Sequence, residues 1–434
     1  MDEHRLPARA TLVSTLDEKY LANSVVYDAM VASVTLLLDG DGLRTPSGQL
    51  DREWITRRVE SSTWKAPALR QRLRSAPLAI TAPSWIPAAT LDMSYHVQFH
   101  PEALGDTPRD VEYLTGRPAG RLLRDRPLWR ILFMELESGE VAMVITWHHV
   151  LGDARYATEL IELLLNYGPT RSIAEATDDD RRDLGRAPLI AVGELIIAWR
   201  AFSAENHAAG RWHAYWAKPM RRRLRRWAAR ASRPLRNWYI SLSGGADRIP
   251  RRHVRMIRLD AQAVRDRASV LGGSLTDVTV SATLKAMFDA NPGQQTATLL
   301  VPVSRRSRTD SGDKRNVVST ALVSVAAGLS LSEIITSVRG QLRSPLRASF
   351  AMPIHDYEGY ATVVPTSLVP LWFGMAQVRT VIGWPVGDPR DNIAVLACEY
   401  QDTFTAAITS HVTTDVEALA RSMRTSLSPN AGTA

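Results

Sequence analysis

A mixed α/β fold is the class that the sequence predicts, on three observations. Strand-like and helix-like runs alternate along nearly the whole chain, the pattern of packed α/β layers. The apolar runs are of two kinds: continuous ones such as Val141 to Trp147, and helically spaced ones such as Ala157, Leu160, Ile161 and Leu164. Clusters of Gly, Asp and Ser separate them. At 434 residues, with 45% hydrophobic and 23% charged residues, the chain suits a globular protein of two lobes.

The elements are predicted in order. Val34 to Leu38 reads as a strand that ends in the turn cluster Asp39-Gly40-Asp41-Gly42. Asp51 to Leu73 reads as one helix with Asp51 as N-cap. Leu91 to Phe99 suggests a strand, and Pro108 to Leu123 a helix. Leu128 to Leu136 and Val141 to Trp147 read as a hairpin closed by Glu137-Ser138-Gly139-Glu140. A helix from Ala154 to Leu165 follows, then a polar loop, 172–186, and a helical region up to Trp238. The pattern restarts with a strand, His253 to Leu259, and helices Ala261 to Leu271 and Thr276 to Asp289, the second capped by Gly272-Gly273-Ser274. Strands at Thr298 to Val303 and Val317 to Ala326 precede a helix, Ser332 to Leu342, with Ser332 as N-cap. A hairpin, Asn392 to Glu399 with Thr403 to His411, and a helix, Asp415 to Met423, close the chain. The expected division is 1–195 as an N-terminal lobe, 196–250 as a basic helical linker, and 251–434 as a C-terminal lobe.

Composition narrows the chemistry. Cys398 is the only cysteine, so neither an internal disulfide nor a cysteine-held zinc is expected. No signal peptide is expected, since Met1-Asp2-Glu3-His4-Arg5 is mixed in charge with no apolar core directly after it, and no membrane span, since the most apolar stretch, Leu189 to Trp199, is short and carries Glu194. The expected location is the cytoplasm. The net charge of +8 is local. Ten of the 53 Lys and Arg fall between Arg211 and Arg236, where there is no Asp or Glu; the rest of the chain holds 43 against 45. Nucleic acid is therefore not an expected partner.

The chemistry centres on His148-His149-Val150-Leu151-Gly152-Asp153, directly after a buried strand and before a helix. The end of a rigid element holds a side chain accurately. One imidazole there can take a proton from a hydroxyl or amine near neutral pH. Adjacent histidines fit a structural pair equally well on these residues alone. A metal site is not expected, because adjacent strand residues face opposite ways. The acid four residues on is better placed to hold the loop than to relay a proton, and Gly152 permits its turn.

This hexad resembles the His-His-x-x-x-Asp-Gly signature of the coenzyme-A-dependent acyltransferase superfamily, which includes chloramphenicol acetyltransferase, nonribosomal-peptide condensation domains and wax ester synthase/diacylglycerol acyltransferases. Further blocks are similar to the last group. They are Arg126-Pro127-Leu128-Trp129, Gly273-Ser274-Leu275-Thr276-Asp277-Val278, Val301-Pro302-Val303-Ser304-Arg305-Arg306 and Pro370-Leu371-Trp372-Phe373-Gly374. Two departures stand out. Ala154 replaces the glycine after the aspartate, and Val363-Val364-Pro365-Thr366-Ser367 replaces Asn-Val-Pro-Gly-Pro.

The resemblance implies two chloramphenicol-acetyltransferase-like lobes with a central tunnel, and His149 as general base at its midpoint. It implies His148, Gly152 and Asp153 as supporting residues, with Asp153 paired to Arg306 and Arg305 as the competing partner. No permanent cofactor is implied; acyl-CoA or an acyl-carrier thioester is the co-substrate and a hydroxyl or amine the acceptor. The expected activity is O-acyl transfer, onto a long-chain alcohol, a diacylglycerol or a specialised metabolite. The alternative is a condensation-type enzyme that takes its donor from a carrier protein. The basic run Arg221 to Arg226, after Pro219, places Met220, Leu224, Trp227 and Ala231 on one helical face. It reads as a contact for anionic membrane or acyl carrier protein, against a plain inter-lobe helix.

Overall fold

The computed structural model describes residues 11–14, 17–18, 20–21, 30–75, 82–88, 90–105, 108–116, 122–173, 228, 252–304, 315–343, 347–348, 357–386, 392–411 and 414–428. The linker expected at 196–250, its basic run and Arg305 and Arg306 lie outside these, apart from Ala228.

A six-stranded sheet carries most of the first half. Its strands are β2 (Val31–Leu38), β5 (Val97–Phe99), β6 (Trp129–Glu135), β7 (Val141–His148), β13 (Trp372–Phe373) and β14 (Ala376–Trp384), in the order β13-β14-β2-β7-β6-β5. Every residue of β7 is buried, as its unbroken apolar run requires. A seven-stranded sheet carries the rest: β8 (Arg252–Asp260), β9 (Thr296–Ser304), β10 (Val318–Ala326), β11 (Arg347–Ala348), β12 (Gly359–Pro365), β15 (Ile393–Tyr400) and β16 (Thr403–His411). Their order is β11-β10-β9-β12-β15-β16-β8. A small third sheet joins β1 (Thr11–Leu12), β4 (Ser84–Pro87) and β3 (Gln71–Arg74).

The helices are α1 (Arg52–Lys65), α2 (Met93–His96), α3 (Pro108–Leu114), α4 (Ala154–Glu162), α5 (Ala261–Val270), α6 (Leu275–Ala290), α7 (Leu331–Arg343) and α8 (Val416–Leu427). α6 is buried nearly all round, with Val278, Val280, Ala282 and Leu284 at 0% exposure, so it forms the centre of the second core. Its start is the expected one: Ser274 and Asp277 form a reciprocal capping box.

Four expectations change. The helix from Asp51 stops at Lys65, since Pro67 drives Ala66 out of the helical region (φ −126°, ψ 77°); a 3₁₀ turn and β3 follow. The strand expected at Leu91 to Phe99 is half helix: Asp92 accepts from Tyr95 N–H and caps α2 before β5 begins. The helix from Pro108 ends at Leu114, ahead of Gly116 at φ +70°. At α7 the capping pair is Ser330 with Glu333, so the cap lies two residues before the expected Ser332.

Seven of the described strands have no counterpart in the sequence reading: β1, β3, β4, β11, β12, β13 and β14. β14 matters most. It comes late in the chain yet pairs antiparallel with β2, Val381 opposite Leu36. The two sheets therefore do not divide at a single point in the sequence. They meet closely where β14 passes β15: a Cβ at Gly383 would lie 2.2 Å from Leu396 Cδ2 and 2.9 Å from Cys398 Sγ. Thr405 Oγ1 on β16 also donates to Val381 O at 2.7 Å.

Candidate active site

The motif begins on the last residue of β7. His148 sits opposite Val31 in register and is 4% exposed. Its Nδ1 accepts from Val150 N–H at 3.1 Å, and its carbonyl accepts from Leu151 N–H at 2.8 Å. Those two bonds fold the chain into a corner. His149 then leaves the strand, with its N–H donating to Met30 O at 2.7 Å.

Gly152 is needed for space. Its φ is not positive, and a Cβ would fall 2.2 Å from the Tyr156 ring. Its carbonyl accepts from Trp147 Nε1 at 3.3 Å. Ala154 opens α4 without a positive φ, so alanine in place of glycine costs no backbone strain there.

Asp153 is 2% exposed and anchors three segments. Its Oδ1 accepts from Tyr156 N–H at 3.0 Å as the N-cap of α4. Its Oδ2 accepts from Val317 N–H at 2.9 Å, and its own N–H donates to Arg315 O at 3.0 Å. Residues 315–317 lead into β10, so the carboxylate fastens the motif loop to the opposite sheet. The expected partner, Arg306, is outside the described residues.

The His149 ring lines a cavity of about 210 Å³ between the two sheets. The walls are mostly apolar: Val34 and Leu36 of β2, Ala157 and Ile161 of α4, Leu300 and Pro302 of β9, Val364 of β12, Val381 of β14, and Leu396 of β15. Thr366 and Ser367, from the segment that departs from the family pattern, and Leu371 also line it. Tyr20 stands against the imidazole, ring centroids 4.7 Å apart and tilted by 46°. Burial depresses the His149 pKa; the Asp153 charge, the residue's own carbonyl and the Asn316 side chain oppose this.

Cys398 also faces the cavity, but burial pushes its thiol up to about 12, which keeps it protonated and poorly nucleophilic. Among the described residues no group of three or more His, Cys, Asp or Glu is placed to hold a metal. No described helix is long and apolar enough to cross a membrane.

Three residues beside His149 have no counterpart in the sequence reading. Tyr20 and Asp17 come from the N-terminal segment, and Asn316 from the turn before β10. Asn316 Nδ2 donates to His149 O at 2.9 Å and to Asp17 Oδ1 at 2.6 Å. None of these positions carries a periodic or motif-like pattern that would single it out.

The other resemblance blocks have structural places. Trp129 stacks on His96 at 4.2 Å and donates from Nε1 to Leu69 O at 2.7 Å. Asp277 caps α6. Gly374, at φ +68°, lets the chain pass the Trp54 ring, which a Cβ would meet at 2.1 Å.

Residues 33–202 match the catalytic-domain model of wax ester synthase/diacylglycerol acyltransferase. The chain is 31% identical over 106 residues to a probable diacylglycerol O-acyltransferase, tgs1, of Mycobacterium tuberculosis H37Rv. That match covers 24% of this chain and 23% of the relative's length. In structure it resembles the wax ester synthase/diacylglycerol acyltransferase of Marinobacter aquaeolei VT8, with a TM-score of 0.58 at 16% identity, covering 98% of this chain and 100% of that one. It also resembles the first condensation domain of the CDA synthetase, with a TM-score of 0.59 at 13% identity, covering 97% and 96%. Residues 33–202 thus match the catalytic-domain model of wax ester synthase/diacylglycerol acyltransferase, and the fold resembles that of the solved wax ester synthase/diacylglycerol acyltransferase and condensation domain.

Proposed function

We propose that this protein transfers an acyl group from a coenzyme A thioester to an alcohol, with His149 as general base. One observation carries the reading: an imidazole held neutral by burial lines an apolar cavity between two sheets, at the end of a fully buried strand. In this reading His149 takes the proton of the acceptor hydroxyl. The oxygen attacks the thioester carbonyl and the C–S bond breaks. The proton then passes from the imidazolium to the departing thiolate, and free coenzyme A leaves. His148, Gly152 and Asp153 shape the loop that presents the base.

The apolar walls suit an acyl chain or a lipophilic acceptor. Leu368 and Val369, 70% and 50% exposed, directly follow cavity-lining Ser367 and extend that character to the surface. The basic run Arg221 to Arg226 remains a proposed contact for an anionic membrane surface or an acyl carrier protein.

A positioned base supplies about 10²–10⁴-fold in rate. His149→Ala is accordingly expected to lose at least about 10²-fold in turnover. The assay is thiol release from acyl-CoA in the presence of long-chain alcohols and diacylglycerol. Near-normal turnover in a folded His149→Ala protein would reject the base. A second reading, favoured by the likeness to a condensation domain, takes the donor from a carrier protein and forms an ester or amide. The same assay with acyl carrier thioesters and amine acceptors separates the two.

A further inference from the structure

We propose that Asn316, held by Asp17, is a positioning residue that fixes His149 from the opposite sheet; the proposal rests on the reading of His149 as the base. Asn316 precedes β10 by two residues. Its amide Nδ2 donates at once to Asp17 Oδ1 (2.6 Å) and to His149 O (2.9 Å). Asp17 is 5% exposed and is itself held, since Ser14 Oγ donates to Asp17 Oδ2 at 2.7 Å and Asp17 N–H donates to Ser14 Oγ at 3.1 Å. The N-terminal segment, the motif loop and the approach to β10 thus converge on one side-chain amide.

The arrangement constrains the residue that carries the base. His149 has left strand β7, so ladder hydrogen bonds no longer define its place. Its N–H is fixed by Met30 O and its carbonyl by Asn316. Its Nδ1 is buried with no partner among the described residues, and Asn316 Oδ1 is buried and without one as well. The ring's direction therefore depends on the peptide on either side of it and on Tyr20 beside it. Displacement of a reacting group by about 1 Å can cost about 10²-fold in rate, which sets the scale of the effect.

Asp17 acts through geometry. Its charge is not among the influences on the His149 pKa, where Asp153 supplies the carboxylate term. Asp17→Asn can keep an acceptor towards Asn316 and, with the Ser14 hydroxyl accepting, the contact behind it. Asp17→Ala can keep neither.

The test compares Asn316→Ala, Asp17→Ala, Asp17→Asn and Ser14→Ala in the full chain, by steady-state kinetics with acyl-CoA and alcohol. In parallel, His149 is labelled with diethyl pyrocarbonate and followed by peptide mass. The two alanine variants at 316 and 17 are expected to lower kcat by at least about tenfold with KM changed less than about threefold. Both should label faster at His149 than the wild type. Asp17→Asn is expected to rescue both readouts to within about threefold of wild type. Wild-type kcat and labelling in a folded Asn316→Ala or Asp17→Ala protein would overturn the proposal, as would an Asp17→Asn variant as impaired as Asp17→Ala. If an alanine variant at 316 or 17 does not fold, Ser14→Ala decides: a lowered kcat with faster labelling supports the proposal, and wild-type values in both overturn it. If the wild type transfers no acyl group, the acyltransferase reading fails, while the labelling comparison still judges the positioning role.

Discussion

At the scale of single residues, two buried imidazoles illustrate how burial sets protonation. Burial lowers the His149 pKa, so the ring is neutral and able to accept a proton at pH 7. The acid limb of the kcat/KM profile is therefore expected below the ordinary histidine value of about 6.5, with a plateau above it; a limb above that value would contradict the assignment. His96 is fully buried beneath Trp129, its Nδ1 within hydrogen-bonding distance of Trp129 O, and burial lowers its pKa to about 4. The unfolded chain takes up this proton first as the pH falls. Stability from His96 is thus complete above about pH 6.5 and is lost between there and about pH 4. Urea unfolding at pH 7.5 and pH 5 should differ by about 2 kcal/mol from this residue, and His96→Phe should narrow the difference. The legibility of the two sites differs for a physical reason. His149 could be located because a contiguous hexad sits between a buried strand and a helix. Asn316 and Asp17 could not, because each acts through a contact about 167 or 299 residues distant in sequence.

At the scale of elements, the boundaries that sequence located well are those with local causes. β7 and α6 each carry their own periodicity or cap, so their ends fall within a residue of the expected ones; α4 starts at its cap but stops at Glu162, three residues short of the expected Leu165. The errors arose where one local signal overrode another, as when Pro67 ends α1 inside a run that still reads as helical. β14 is of another kind: nothing in Ala376 to Trp384 indicates that its partner is β2. Its entry into the first sheet depends on Gly42, where a Cβ would lie 2.5 Å from both Ala376 N and Met375 C. Backbone atoms cannot yield as a side-chain tip can. Gly42→Ala is expected to destabilise the protein by about 1–3 kcal/mol in chemical denaturation, without touching the cavity.

At the scale of the whole molecule, Asp153 is a link between the sheets as much as a member of the motif. Asp153→Asn turns one carboxylate oxygen into a donor facing either Tyr156 N–H or Val317 N–H. A loss of about 1–3 kcal/mol in stability is expected, together with reduced turnover, because the loop loses its anchor on the far side. Full activity with unchanged denaturation would remove that role. The interleaving of the two sheets has a consequence for how the chain is made. A ribosome must deliver residue 384 before the strand next to β2 exists, so until then the edge of β2 is unpaired and open to wrong partners. Splitting the gene between the halves should yield a first fragment that aggregates alone, and that regains its sheet only when the second is supplied alongside it.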